Sequence, residues 1–506
     1  MGFVWKTSLA LAVASVPLFA ATCDSLTSLS FPDAAITSAQ TVAAGAFVEP
    51  ANPNGRGGGR GPANNIYKDL PAFCRVTATL KPSSDSDIKV EVWLPSADWN
   101  QKYQAVGNGG WAGVISYSAM AEALRDGYAT SSTDTGHVGG SGSFALGHQE
   151  KLIDFGYRSE HEMTVKSKAI VAAFYGNNAK LSYWNGCSTG GRQGLKEAQK
   201  YPADYDGIIA GAPANRTPMA LWVAFAQLKD PASTVPQSKY KLVHQTVLDQ
   251  CDAADGLKDG LVSDPTRCRF DPSVLLCKGA DSPACLTAPQ VDAVRKTYMD
   301  VTNPRTGAKI APALVPGSEL GWAILAAGPD PAAIMLDHYK YVVFKNPAWD
   351  WRTFDFDKDV AKSEEPDNVV MNSTDPDLRA FFGHKGKLLL YHGWADTNVS
   401  PLATVQYYKS VLDTMGGEKK VSDSIRLFLA PGMGHCGGGE GPNKMDLAAT
   451  LDTWVTNGKA PAKMIASHST AGKVGRTRPL CPYPQVAKYS GSGNMDDAAN
   501  FSCAAQ

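Results

Sequence analysis

The 506-residue chain is predicted to be an α/β protein whose sheet is interrupted by a large inserted domain. Three observations carry that expectation. Short apolar runs alternate with helical patterns in two blocks, 75–200 and 387–457. Residues 215–384 between them break the alternation with Asp-Gly and Pro turns. A glycine-punctuated turn joins a strand-like run to a helix within 181–200, as in sheets whose faces are covered by helices.

Residues 75–80, 88–94 and 103–106 alternate apolar and polar side chains like paired strands. A helix-like run at 120–126, a short strand-like run at 128–131 and a helix over 160–175 follow. The second block opens on the apolar run 387–393, continues through a helix at 402–415 and a strand at 425–430, and ends in an amphipathic helix over 445–457. The insertion thus splits a catalytic unit into 22–214 and 385–506. The Gly/Arg stretch at 52–62, NPNGRGGGRGP, reads as a surface loop.

Charge and cysteine content narrow the class. Forty-eight Lys+Arg stand against 49 Asp+Glu, which leaves no electrostatic footprint for nucleic acid. Lys6 and the apolar run 7–21 have the form of a signal peptide covering 1–21, and no later run approaches a membrane span. A secreted or periplasmic location follows, and in it ten cysteines read as five disulfides. The sequons at Asn215, Asn372, Asn398 and Asn500 matter only in a glycosylating host.

The sharpest local signal is LSYWNGCSTGGRQ at 181–193, where Gly186, Ser188 and Gly190 have the spacing G-x-S-x-G between a strand and a helix. This is the form of a nucleophile elbow, with Ser188 as the candidate nucleophile. A base and an acid are expected later in the chain. Asp396, in the loop after the run 387–393, is the candidate acid, with Asp413 and Asp423 as competitors. His435, in the glycine-rich loop PGMGHCGGG after 425–430, is the candidate base. His392 and His137 read as structural. Cys187 precedes Ser188 and Cys436 follows His435; a bridge between them would staple nucleophile to base, although ten cysteines allow many other pairings.

Taken together, CS at the elbow, HC at the base and a bridge between them resemble the tannase and feruloyl esterase family, which includes mono(2-hydroxyethyl) terephthalate hydrolase. The motifs GNGGWAG (107–113), DYDGIIAGAPA (204–214), YHGWAD (391–396), PGMGHC (431–436) and RTRPLCPYPQVAKYSGSGN (476–494) carry the same resemblance. It implies an α/β-hydrolase fold, a triad of Ser188, Asp396 and His435, and a lid domain in the insertion. It also implies bridges Cys251–Cys268, Cys277–Cys285, Cys481–Cys503 and Cys23–Cys74.

In the insertion, three carboxylates at 252–261 with turn-forming glycines suit a hard cation such as calcium, but equally a solvated turn. The resemblance decides for structural Ca2+, held by side chains of Asp252, Asp255 and Asp259 and carbonyls of Leu257 and Leu261. No organic cofactor is expected.

The expected function is that of a secreted serine carboxylesterase acting on phenolic acid esters of feruloyl or galloyl type, small or attached to plant polysaccharide or tannin. The oxyanion hole is expected to use Thr189 N–H with the Asn108 or Gly109 amide. Activity should fall on acidification as an imidazole base takes up a proton. Trp222, Trp322, Tyr339, Tyr341, Phe344, Trp349 and Trp351 could stack on a phenolic ring, although any one of them more often belongs to the insertion's own core. HYKYVVFKNPAWDW (338–351) resembles feruloyl esterases and tannases, and Thr189 stands where the terephthalate monoester hydrolase has Glu. Tannin acyl hydrolysis and terephthalate monoester hydrolysis are the alternatives within the family; a secreted serine peptidase and an inactive binding module are the rivals outside it.

Overall fold

Nine strands form one mixed sheet in the computed structural model, which describes residues 21–50, 66–216, 224, 230–325, 330–365 and 369–505. Residues 1–20 of the expected leader, the 52–62 loop and Trp222 lie outside the described residues. The strands are β1 Ala34–Val42, β2 Phe73–Leu80, β3 Ile88–Pro95, β4 Lys102–Val106, β5 Ala129–Thr133, β6 Leu181–Cys187, β7 Gly207–Gly211, β8 Lys387–Gly393 and β9 Ile425–Ala430. They lie in the order β1-β2-β3-β5-β4-β6-β7-β8-β9. The first three and β5 pair antiparallel; from β5 onward every pairing is parallel.

Helices cover both faces, which is why β7 and the 388–391 run of β8 read as unbroken apolar stretches, while β5 buries the mostly polar run ATSST. Neighbouring residues on a strand serve opposite cores. Trp184, Ile208, Leu388 and Leu427 pack with Met163 and Ile170, Leu195, and Val405 and Val411. These come from helices α2 (Ser159–Tyr175), α3 (Thr189–Lys200) and α6 (Pro401–Thr414) respectively. Tyr183, Ile209, Leu389 and Phe428 face the other way, onto Ala123 of α1 (Tyr117–Arg125) and Leu451 and Trp454 of α7 (Leu447–Asn457).

The chain leaves the sheet after β7 and returns at β8. Between them lie α4 (Tyr240–Cys251), α5 (Ala288–Thr297) and several short turns, packed around Tyr240, Val294, Trp322, Tyr339, Trp351 and Phe354. Trp322, Tyr339 and Trp351 are therefore core of the insertion, with Phe344 and Trp349 packed partly against them. A capping box between Thr287 and Gln290, with proline in the first turn, sets the start of α5.

The insertion is tied down on several sides. Trp111 Nε1 donates to Ile334 O at 3.2 Å, Gly142 N donates to Asp337 Oδ2 at 2.8 Å, and Thr397 Oγ1 donates to Gly321 O at 3.0 Å. The tail adds two small ribbons, Met464–Thr470 with Lys473–Leu480 and Val486–Tyr489 with Phe501–Ala504. All five expected disulfides are present, Cys23–Cys74, Cys187–Cys436, Cys251–Cys268, Cys277–Cys285 and Cys481–Cys503. Among the described residues no helix is long and apolar enough to cross a membrane.

Candidate active site

The sequence-selected residues converge at the carboxyl ends of β4, β6, β8 and β9, where an open parallel sheet offers a crevice. The chain steps from β4 to one neighbour, β5, and later to the other, β6. The loops after β4 and β6 therefore meet with no strand between them.

Ser188 sits between β6 and α3 with φ 63° and ψ −120°, a left-handed backbone that non-glycine residues rarely adopt. Its conformation is over-determined. Ser188 N donates to Gly211 O at 2.9 Å, and its carbonyl accepts from Arg192 N at 3.0 Å and Ala214 N at 3.1 Å. A Cβ on Gly186 would stand 2.5 Å from the Gly190 carbonyl carbon, so the tight approach of strand to helix requires glycine there. The buried Arg192 guanidinium donates to Phe155 O at 3.0 Å and Gly156 O at 2.8 Å, fixing the first turn of α3.

The loop after β4 is bonded to this elbow. Gly190 N donates to Asn108 O at 2.8 Å and Thr189 Oγ1 to Gly110 O at 2.9 Å. Gln193 completes the join: its Oε1 accepts from Asn108 N at 3.0 Å, and its Nε2 donates to Asn108 Oδ1 at 3.2 Å and to buried Glu160. One expectation is thereby corrected. The Asn108 amide is engaged by Gln193 and cannot face a substrate oxyanion, so of the two amides considered only Gly109 is available for that role.

At the end of β8, Asp396 is fully buried and accepts four hydrogen bonds. Oδ1 takes Asn398 N at 2.8 Å and Val399 N at 3.1 Å. Oδ2 takes His435 Nδ1 at 2.7 Å and His392 Nε2 at 2.9 Å. Burial opposes its charge, but the hydrogen bonds from the two imidazoles outweigh burial and hold the carboxyl well below the usual carboxylate range. A depressed pKa adds stability above the unfolded value, lost only as pH falls through the folded one, so Asp396 stays ionised except at strongly acid pH. Asp413 and Asp423 take no part in this arrangement.

His392 exceeds the structural role expected of it. It shares Oδ2 with His435 while its Nδ1 meets Thr404 Oγ1 at 2.8 Å. Strand periodicity gave no sign of this, because the residue simply continues a buried run. His137 remains structural, its Nε2 on Trp111 O at 2.8 Å.

The Cys187–Cys436 bridge holds the two Cα atoms 5.9 Å apart across 249 residues of chain. Cys436 has φ 61°, so the bridge also fixes a left-handed residue beside His435. At the other end of the loop, Glu440 meets His244 Nε2 at 2.9 Å, and His244 Nδ1 meets buried Glu319 at 2.7 Å. Burial disfavours the charged ring, yet hydrogen bonds and charge from Glu319 and Glu440 raise its pKa above the ordinary value. The His435 loop is thus pinned to the elbow on one side and to the insertion on the other. Replacing both Cys187 and Cys436 by Ser is expected to cost about 5 kcal/mol from loop closure. Calorimetry should then show Tm lower by on the order of 5–10 °C, with reduced turnover. Unchanged values would show that the loop holds itself.

In the acidic loop of the insertion, Asp252 accepts from Asp259 N at 3.1 Å and Gly260 N at 2.9 Å, and Asp255 accepts from Leu257 N at 2.9 Å. Asp259 Oδ2 accepts from Arg478 Nη2 at 2.5 Å, both side chains being buried. Burial raises the Asp259 carboxyl; Arg478 and Arg476 lower it, while Asp252 and Asp255 push it up. The loop thus gathers three carboxylates whose oxygens are engaged by backbone amides of the same loop and by the buried Arg478.

The sequence profile described as tannase and feruloyl esterase matches residues 74–504. The chain is 38% identical to an esterase of Xanthomonas campestris pv. campestris over 96% of this chain and 91% of that one. It is 36% identical to a probable feruloyl esterase B-2 of Aspergillus terreus over 85% and 86%. The crystal structure of feruloyl esterase B from Aspergillus oryzae superposes with a TM-score of 0.88 at 33% identity, covering 95% of this chain and 99% of that one. The chain belongs to the tannase and feruloyl esterase family of carboxylic ester hydrolases.

Proposed function

We propose that the protein is an exported serine esterase that cleaves esters of hydroxycinnamic and related phenolic acids through an acyl-enzyme. The observation that carries this reading is the 2.7 Å bond from His435 to a buried, ionised Asp396, on a loop bridged to the residue before Ser188. His435 Nδ1 donates to Asp396, which leaves Nε2 free to take the Ser188 proton as Oγ attacks the ester carbonyl. The oxyanion that forms is held by Thr189 N–H, which at the first position of α3 has no intrahelical acceptor, and by Gly109 N–H. The imidazolium returns its proton to the leaving alcohol. Water then enters, His435 takes its proton as the water oxygen attacks the acyl carbon, and the imidazolium returns that proton to Ser188 Oγ as the phenolic acid departs.

The names of the relatives support a feruloyl ester as substrate. A panel of methyl ferulate, methyl caffeate, methyl gallate and the terephthalate monoester tests it, with hydroxycinnamates expected to give the highest kcat/KM. Cleavage of peptide amides with none of these esters turned over would reject the reading. Five disulfides support export to an oxidising compartment. The insertion serves as the lid over the site, covering the region as 215–384.

The loop of Asp252, Asp255 and Asp259, with the carbonyls of Leu257 and Leu261, is the proposed calcium site. Its ion would neutralise the clustered carboxylates and stiffen the lid. Chelation with EGTA is expected to remove about 3 kcal/mol of stability relative to saturating Ca2+, seen as a lower, Ca2+-restorable Tm with kcat unchanged well below it. A Tm indifferent to both treatments would reject the site.

A further inference from the structure

A second cluster lies on the far side of the elbow helix. His161, in the first turn of α2, stacks on Tyr201 with ring centroids 3.8 Å apart, and its Nδ1 stands 2.7 Å from Asp204 Oδ2. Glu197, on α3 two turns beyond Thr189, completes the group: one ligand atom from each of the three residues lies within 4.8 Å of the others. Glu197 is 1% exposed, and neither carboxylate oxygen has a hydrogen-bond partner.

Two carboxyl groups that face each other without a donor between them need either a shared proton or a cation. Lys168 supplies only part of the charge. Its ammonium donates to the Asp204 carbonyl and faces the charges of Asp204, Asp206 and Glu197 together. His161 and Asp204 are only half-buried, so an ion has a path from solvent.

We infer that His161, Glu197 and Asp204 bind a divalent transition-metal ion, separate from the oxygen-only loop of the insertion. One nitrogen and two carboxylates suit zinc or manganese better than calcium. Ligands about 2.1 Å from one ion stand about 3 Å apart in octahedral geometry, close to the spacing His161 and Asp204 already have. The ion would take the place of the proton that Glu197 otherwise keeps, and would clamp the distal half of the elbow helix to α2.

Zn2+ is the probe. Metal-stripped, full-length enzyme in excess Ca2+ is titrated with Zn2+ by calorimetry, with thermal melts as a second readout. The wild type is expected to bind one equivalent with a rise in Tm. Glu197→Gln, which keeps the shape and can donate to Asp204, and His161→Ala, at a half-exposed position, should each weaken that binding at least tenfold. Asp255→Asn, in the calcium loop, should not. Absence of Zn2+ binding by the wild type, or binding unchanged in His161→Ala and in any folded Glu197→Gln, overturns the inference in favour of the shared proton.

Discussion

Ser188→Ala is expected to lower kcat/KM on methyl ferulate by about 10^4- to 10^6-fold without lowering Tm. The hydrogen bonds described at the elbow are made by backbone: Ser188 N to Gly211 O, and its carbonyl to Arg192 N and Ala214 N. Alanine keeps all three and has the same Cβ in the same left-handed conformation, so the fold loses little. What disappears is the oxygen to which the proposed mechanism attaches the acyl group. Single-turnover assays with calorimetry on the same sample separate the two, and turnover within tenfold of wild type would remove Ser188 from the mechanism.

Asp396→Asn is expected to lower kcat by about 10^4-fold and, unlike the serine variant, to lower Tm as well. Each Asp396 oxygen accepts two donors, backbone amides on Oδ1 and imidazole nitrogens on Oδ2. An asparagine must point its NH2 at one of these pairs. Facing the amides, it buries donor against donor. Facing the rings, it forces His435 to carry its proton on Nε2, the tautomer unable to accept from Ser188, and it also opposes His392, whose Nε2 lies 3.1 Å from Val399 O. Neither orientation satisfies the site, so activity and stability fall together. A variant with kcat within tenfold of wild type would contradict the assigned role of the carboxylate.

Those two residues were legible in the sequence for the same physical reason. A serine between strand and helix with glycines on either side, and a carboxylate or histidine just past a buried apolar run, are positions fixed by local chemistry. The Cys187 and Cys436 neighbours were legible because they flank those positions. β1 was not, because an edge strand with alternate residues exposed is built here from Ala, Ser and Thr and shows little hydrophobic alternation. β7 was missed because Gly207–Gly211 is five residues buried on both faces, with no period to read. Gln193 and the His244–Glu440 contact depend on partners 85 and 196 residues away in the chain, and His392 on a turn of the chain after β8 that brings Asp396, Val399 and Thr404 back onto its ring. The Asn108 amide was misjudged for that reason too: nothing near residue 108 shows that Gln193 will occupy it. Glu197 escaped because a charged residue on an amphipathic helix reads as solvent-facing, whereas here α3 is covered along most of its length.

The disulfides also set an order of assembly. Cys277–Cys285, Cys251–Cys268 and Cys481–Cys503 span 8, 17 and 22 residues, and Cys23–Cys74 spans 51. Cys187–Cys436 spans 249. Closing a longer loop costs more chain entropy, and at roughly 5–20 residues per second of synthesis Cys187 waits on the order of 10–50 s for its partner to be made. The local pairs made before Cys436 have the advantage of proximity during that interval, whereas Cys481 and Cys503 follow it in the chain. The Cys187–Cys436 bridge can therefore close only after three shorter loops, Cys23–Cys74, Cys251–Cys268 and Cys277–Cys285, have had time to do so.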